Sequence, residues 1–249
     1  MLHYETVDAG TLALLRQLQE LEDLEPFLLV GGTSLALQIG HRKSIDLDFF
    51  ADNKKYQIDL EAIPEIVKDL GKVDVFHKRK SLLQMFLNDV KVDFVSYRYE
   101  FIENPLYEDG LKLASIPDIG AMKLSAITGR GSKKDFIDLY FLLRIYTIAE
   151  LFDFHRKKYP DSADFMVYKS LTYFVDADAE DMPEMLESVE WGNNQKYRQR
   201  SGEWYVALIQ PTPKPHIFIR RIAFLIQLSP SRHFDSKKST QHVTAPPTA

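Results

Sequence analysis

Residues 27–50 decide the reading of this chain: Phe27-Leu28-Leu29-Val30, then Gly31-Gly32-Thr33-Ser34, then Leu35-Ala36-Leu37-Gln38-Ile39-Gly40, and after His41 the run Arg42-Lys43-Ser44-Ile45-Asp46-Leu47-Asp48-Phe49-Phe50. The first apolar run predicts a short buried strand. The glycine pair breaks it, and Leu35 to Ile39 predicts a helix closed by Gly40. Ile45 to Phe50 alternates strictly and predicts a second strand, with Ile45, Leu47 and Phe49 toward the core. Asp46 and Asp48 then leave its other face together, about 7 Å apart at ~3.3 Å per residue. Two carboxylates so placed repel unless a cation joins them, and a hard divalent ion such as Mg2+ takes oxygen ligands. Gly31 and Gly32 let the backbone approach a ligand, and a helix start behind them offers free N–H groups to a phosphate. Thr33 and Ser34 add hydroxyls, and Arg42 and Ser44 can grip phosphate oxygens. A solvated strand face and an ordinary tight turn would look the same taken singly.

Outward from this stretch, Leu12, Leu15, Leu18 and Leu21 predict an amphipathic helix that Pro26 ends. Ile58 to Leu70 predicts another, stopped at Gly71. Val73–His77 and Leu82–Asn88 read as a hairpin whose tip, Lys78-Arg79-Lys80-Ser81, is solvated, and Lys91–Tyr97 alternates as a further strand. Asp93 stands in that otherwise apolar strand and needs a partner, either hydrogen bonds or a shared metal pair. The fold expected is α+β: a small mixed sheet flanked by helices, followed by a helical C-terminal region. From about Pro105 the chain reads as helical: Pro117 to Ile127, a long helix from Lys133 to Lys158 behind Gly129-Arg130-Gly131 and Ser132, Ala163 to Phe174, and Met182 to Val189. Ser132 to Asp135 fits a capping box, Lys134 and Asp138 fit an i,i+4 pair, and Lys123 reads as a solvated helix lysine.

Composition limits the function classes. With 249 residues the chain can bury a core without covalent staples. It has no cysteine, so disulfide frameworks, thiolate metal sites and thiol nucleophiles are excluded, and its seven histidines fall into no zinc spacing. Met1 to Gly10 is acidic and lacks an apolar core, so no secretory signal is read there. No apolar run approaches the ~20 residues that span a bilayer. A cytoplasmic protein is expected. The net charge of −5 divides unevenly: residues 1–191 hold 22 basic and 34 acidic residues (−12), and 192–249 hold 9 and 2 (+7). Three segments follow: an α+β core over 1–110, a helical domain over 111–191 that completes a cleft, and an atypical basic, proline-containing tail over 192–249. The tail reads as partly disordered, or as translated from a shifted frame, with a basic RNA-holding arm as the alternative.

Four ordered stretches carry a resemblance. Gly31-Gly32-Thr33-Ser34-Leu35, Arg42 through Phe50, Lys123-Leu124-Ser125-Ala126 through Arg130, and Lys134-Asp135-Phe136-Ile137-Asp138-Leu139-Tyr140-Phe141-Leu142 resemble the motifs of AbiEii/AbiGii-type nucleotidyltransferases, toxins of the DNA polymerase β-like superfamily. The resemblance covers residues 20–190. It implies transfer of NMP from an NTP to an acceptor hydroxyl with Mg2+ or Mn2+ held by Asp46, Asp48 and Asp93. It further implies that Gly31, Gly32, Thr33, Ser34, Arg42, Ser44, Lys123 and Arg130 hold the nucleotide. Lys123 and Asp135 join the three aspartates as the catalytic set, and Asp93 is also the candidate base. A tRNA 3′ end is the acceptor it points to, and an antitoxin protein the partner. The residues by themselves leave open transfer to a small molecule or protein, and a nucleotide-binding module without turnover.

Overall fold

Strand β2 (Leu47–Asp52) runs through the middle of a seven-stranded sheet ordered β3-β4-β5-β2-β1-β7-β6. The other strands are β1 (Leu28–Val30), β3 (Val73–Arg79), β4 (Leu82–Leu87), β5 (Val90–Tyr97), β6 (Leu106–Glu108) and β7 (Leu111–Leu113). The β2–β5 and β1–β7 pairs are parallel and the rest antiparallel, so the sheet is mixed as expected. The helices are α1 (Ala9–Glu20), α2 (Gly31–Ile39), α3 (Ile63–Ile66), α4 (Ile116–Gly129), α5 (Lys133–Leu142), α6 (Ile148–Lys158), α7 (Asp164–Ser170) and α8 (Val175–Ala179). This computed structural model describes residues 1–192; the readings made for the tail beyond Gly192 lie outside the described residues.

Alternation sorts the sheet into two faces. On one, Leu29, Leu47, Phe49, Leu83, Met85 and Phe94 meet the Leu15 and Leu18 stripe of α1. On the other, Leu28 and Val30 meet Leu35 of α2 and the helices of the C-terminal region through Ile119, Leu124, Phe136, Leu139 and Phe152. The helices cover this second face over β1, and Phe50 of β2 joins their cluster. Farther out, Gln84 and Phe86 on β4 carry side chains on this same face without joining any buried cluster. A buried pair, Lys158 Nζ donating to Asp118 Oδ1 at 2.7 Å, ties α6 to the start of α4, and the Tyr97 and Tyr159 hydroxyls meet at 2.6 Å.

Several expected elements differ. The strand starts at Leu47, not Ile45, and Ile45 is 70% exposed rather than buried. The Ile58–Leu70 helix is reduced to α3 and a 3₁₀ turn: the Asp59 side chain accepts from Glu61 N in a local turn, and Pro64 can stand only in a first helical turn. Before the helical region comes the β6–β7 hairpin, turned at Asp109 and Gly110, both left-handed (φ 52° and 79°). The long helix is two. It stops after Leu142, and α6 opens with a full capping box between Thr147 and Glu150. Met182 to Val189 is irregular rather than helical, with one isolated bridge at Met185, and Pro183 disfavours helix at Met182. Its backbone bonds to the His41–Lys43 segment instead: Lys43 N donates to Glu184 O, and Leu186 N to His41 O.

Candidate active site

The site forms where β1 passes directly into α2. Gly31 and Gly32 are not a separate loop but the first turn of the helix, so their N–H groups belong to its unbonded N-terminal set. Gly31 has φ +70°, and a Cβ there would stand inside van der Waals contact of Asp48 Oδ2; a Cβ on Gly32 would overlap an Arg42 guanidinium nitrogen. The two glycines are therefore fixed by close approach of the acid beneath one and the cation beneath the other. Replacing Gly31 by Ala is expected to cost about 1–2 kcal/mol for the left-handed backbone alone, before the clash is counted. Activity should fall with it, read by thermal melting and transfer assays; a Gly31→Ala protein with wild-type activity would remove this turn from the site.

Asp48 lies opposite Val30 on one side and beside Asp93 of β5 on the other, in the parallel register. Burial pushes the Asp48 carboxyl above its usual range, and the Asp93 charge adds to the shift. Asp93 accepts from Gln84 Nε2 at 2.7 Å and Lys91 Nζ at 2.8 Å, both through Oδ2; its Oδ1 is buried with no hydrogen-bond partner. Burial opposes the Lys91 ammonium, but the bond and charge of Asp93 outweigh it and raise its pKa. Asp46 precedes the strand, 3.7 Å from Lys134 Nζ. Among the described residues, no three carboxylates or histidines converge closely enough to form a finished metal site. The donor set nevertheless suits a hard cation. Asp48 and Asp93 are adjacent oxygen donors, one charge-frustrated and the other with an orphaned oxygen, and Asp46 flanks them.

The remaining candidates divide into two groups. Thr33 Oγ1 bonds to Ser44 Oγ at 2.8 Å and to the Asp46 carbonyl, while buried Ser34 accepts from Gln38 through its hydroxyl and carbonyl, so these hydroxyls brace the loop. Arg42, Lys123, Asp135 and Asp138 form a buried ion network. Arg42 Nε and Nη2 donate to the two Asp138 oxygens at 2.6 and 2.9 Å, and Lys123 Nζ reaches Asp138 Oδ2 at 2.5 Å and Asp135 Oδ1 at 3.0 Å. Arg130 donates from Nε to Asp135 Oδ2 at 2.7 Å and from Nη2 to Oδ1 at 3.0 Å, from a largely exposed side chain.

Lys123 is thus buried rather than solvated. Asp138 pairs with Arg42 rather than Lys134. Ser132 Oγ donates to Asp135 instead of capping the helix, so the capping box does not form. Burial works to raise both carboxyls, yet Lys123 and its companion cations hold Asp135 and Asp138 far below the usual range. Burial lowers the His41 pKa against the opposing bond to Asp138 at 2.8 Å. Sequence reading missed Gln84, Lys91 and His41. Lys91 was findable, because it stands two residues before Asp93 on an alternating strand and shares its face; Gln84 is contributed across the sheet and left no local signal.

The family model described as nucleotidyl transferase AbiEii toxin, Type IV TA system, matches residues 13–200. An uncharacterized protein of Aquifex aeolicus is 37% identical over 186 residues, covering 72% of this chain and 88% of its own length. Among solved structures, JHP933 of Helicobacter pylori aligns at 18% identity and TM-score 0.47, covering 88% of this chain and 93% of that one. MenT4, a nucleotidyltransferase toxin of Mycobacterium tuberculosis, aligns at 19% identity and TM-score 0.40, covering 88% and 86%.

Proposed function

The chain belongs to the AbiEii family of nucleotidyl transferase toxins, and on that premise we propose that Asp46, Asp48 and Asp93 carry a metal-dependent transfer of NMP from an NTP to the hydroxyl of an RNA acceptor, foremost a tRNA 3′ end. The observation that supports it best is the packing of the Asp48 carboxylate under Gly31, beside Asp93, at the N-terminus of α2. That arrangement sets oxygen donors for a hard cation against free N–H groups for a triphosphate. Mg2+ or Mn2+ bound by the aspartates would polarise the phosphoryl group and offset the charge of the leaving pyrophosphate. Residues 1–110 carry the acids and the phosphate turn in this reading, and residues 111–191 complete the cleft.

The chain's own residues have separate tasks. Gly31 and Gly32 present backbone donors to the terminal phosphates. Arg42 and Lys123 act from beneath, because Asp138 fixes Arg42 against Gly32. Arg130, with a largely exposed side chain, is a cation able to reach a phosphate directly. The acceptor oxygen bonds to the α-phosphorus as the bond to the β-phosphate breaks, pyrophosphate leaves, and the hydroxyl proton passes to the Asp93 carboxylate. A cytoplasmic setting, where NTP and tRNA meet, and an antitoxin partner complete the proposal. Among the described residues no helix is long and apolar enough to cross a membrane.

The test incubates the full chain with each labelled NTP, Mg2+ or Mn2+, and total RNA. Label in tRNA, lost on chelation, is expected. Label confined to a protein or small molecule would overturn the acceptor, and tight NTP binding without transfer would overturn the enzyme.

A further inference from the structure

The face of the sheet that carries Asp48 and Asp93 does not end at β5. In the antiparallel register Asp93 stands opposite Gln84, and Lys91 opposite Phe86; Gln84 faces His77 and Leu82 faces Arg79 on the edge strand β3. Opposed residues share a face, so this row continues the catalytic face across two more strands. At Phe76 the strand bulges between Val75 and His77, and the extra residue brings its ring against Phe86, centroids 5.0 Å apart and tilted by 37°. Both rings are open to solvent, Phe76 at 48% and Phe86 at 39%. A small cavity of about 200 Å³ lies beside Phe86, lined also by Lys72, Asp74 and Asp89.

The charge here differs from that of the body around it. Residues 72–91 hold five Lys or Arg and two Asp, within a segment that is strongly acidic as a whole. Arg79 and Lys80 are exposed at the hairpin end, and Lys91 stands opposite Phe86 with its ammonium on Asp93. Two exposed aromatic rings with Lys91 on one side of Phe86, Asp74 on the other, and Arg79 and Lys80 at the hairpin end make a platform for single-stranded nucleic acid, whose bases stack without sequence preference while the cations follow the backbone. Phe86 is the diagonal neighbour of Asp93, ~7–8 Å away. That is the rise of about two stacked nucleotides at ~3.4 Å each.

We propose that Phe76 and Phe86 on the β3–β4 hairpin form a stacking platform for the single-stranded end of the RNA acceptor, holding the nucleotides next to the reactive one while its terminal hydroxyl lies at Asp93. This rests on the RNA-acceptor reading above and adds to it the surface that holds the acceptor. The platform contributes nothing to NTP binding, since the triphosphate turn lies on the far side of Asp48.

The test uses the full chain and a short labelled single-stranded oligoribonucleotide, with binding read by anisotropy and labelled-NTP binding measured in parallel. A Phe76→Ala/Phe86→Ala variant is expected to bind the oligonucleotide about 10- to 100-fold more weakly, raise the acceptor KM by a similar factor and leave NTP affinity unchanged. Phe86→Trp should keep or strengthen binding. Arg79→Gln/Lys80→Gln should weaken binding and reduce the slope of log K against log salt by about one per cation removed. The rings are exposed, so these variants should fold, and circular dichroism checks that they do. An alanine variant that binds the oligonucleotide like the wild type overturns the platform, even while the wild type still labels tRNA. A wild type that labels only protein or small molecules overturns the acceptor reading and the platform with it. A wild-type dimer that the double variant dissociates, with RNA binding unchanged, reassigns the rings to an interface between copies.

Discussion

An Asp48→Asn protein is expected to lose nucleotidyl transfer by roughly 10²–10³-fold or more while melting at the wild-type temperature or above it. The first half follows from chemistry, since an amide supplies a weaker, uncharged donor where a cation and the triphosphate must be held together. The second follows from the fold. The Asp48 carboxyl is pushed up first by burial and then by the neighbouring Asp93, so the folded state disfavours its charge. With the folded pKa above the unfolded one, the ionised group is a penalty at neutral pH that disappears as pH falls toward the unfolded value near 4. Removing the charge relieves the penalty, and a gain of about 1 kcal/mol would raise Tm by ~2–4 °C in a domain of this size. The gain should shrink in acid. Asp93→Asn should behave otherwise: it relieves Asp48 of a neighbouring charge but leaves Lys91 without its carboxylate partner, so activity falls without the same gain in stability. Scanning calorimetry from pH 4 to 8 alongside transfer assays reads both effects. Full transfer by Asp48→Asn, or a large drop in its Tm, would refute the placement of Asp48 as an acid held ready for a cation.

The two aspartates also show what the sequence could disclose. Period-2 alternation put Asp48 and Asp93 each on a strand face, and the glycine pair marked the turn above them; both signals are local. Their pairing across β2 and β5 is not local, and neither is the reach of Gln84 across the sheet. The strand placement of Asp46 was misread for a physical reason. Alternation from Ile45 onward looked like strand, but Arg42 bridges to Met185, Ser44 N bonds to Thr6 O, and the segment becomes ladder only at Leu47. The β6–β7 hairpin announced itself by Asp109-Gly110, a strong turn pair, yet strands of three residues offer too little alternation to be seen beside it. The break between α5 and α6 was likewise written in Thr147-Ile148-Ala149-Glu150, a capping box hidden within a continuous apolar stripe. Least legible was the ion network. Asp135 and Asp138 looked like a capping residue and a surface pair because spacing reports neighbours along one helix, whereas their partners Arg42 and Lys123 come from elsewhere in the chain.

That network carries the largest stability effect expected in the molecule. Asp138 is wholly buried and faces Arg42, Lys123 and His41 together. Asn at this position keeps the shape but removes the charge, leaving a buried guanidinium and a buried ammonium short of a counter-ion. Such a loss costs about 3–5 kcal/mol, a Tm drop on the order of 10 °C for a domain of this size. The pH dependence gives an independent check. Lys123 and Arg42 overcome burial and hold the Asp138 carboxyl well below the usual carboxylate range, so its contribution is present in full above the unfolded pKa near 4. That contribution is lost as pH falls from there through the folded pKa. The wild type should therefore weaken steeply below about pH 4, and Asp138→Asn should show a shallower acid limb on a lower plateau. Function provides the last discriminator. Well below the variant's own Tm, its NTP KM should still rise, because Arg42 is no longer held against the Gly32 turn, whereas a purely structural role would leave KM unchanged in the folded fraction. A variant as stable as the wild type across the pH range would show that the network adds no net stability and remove it from the account of how the phosphate turn is held.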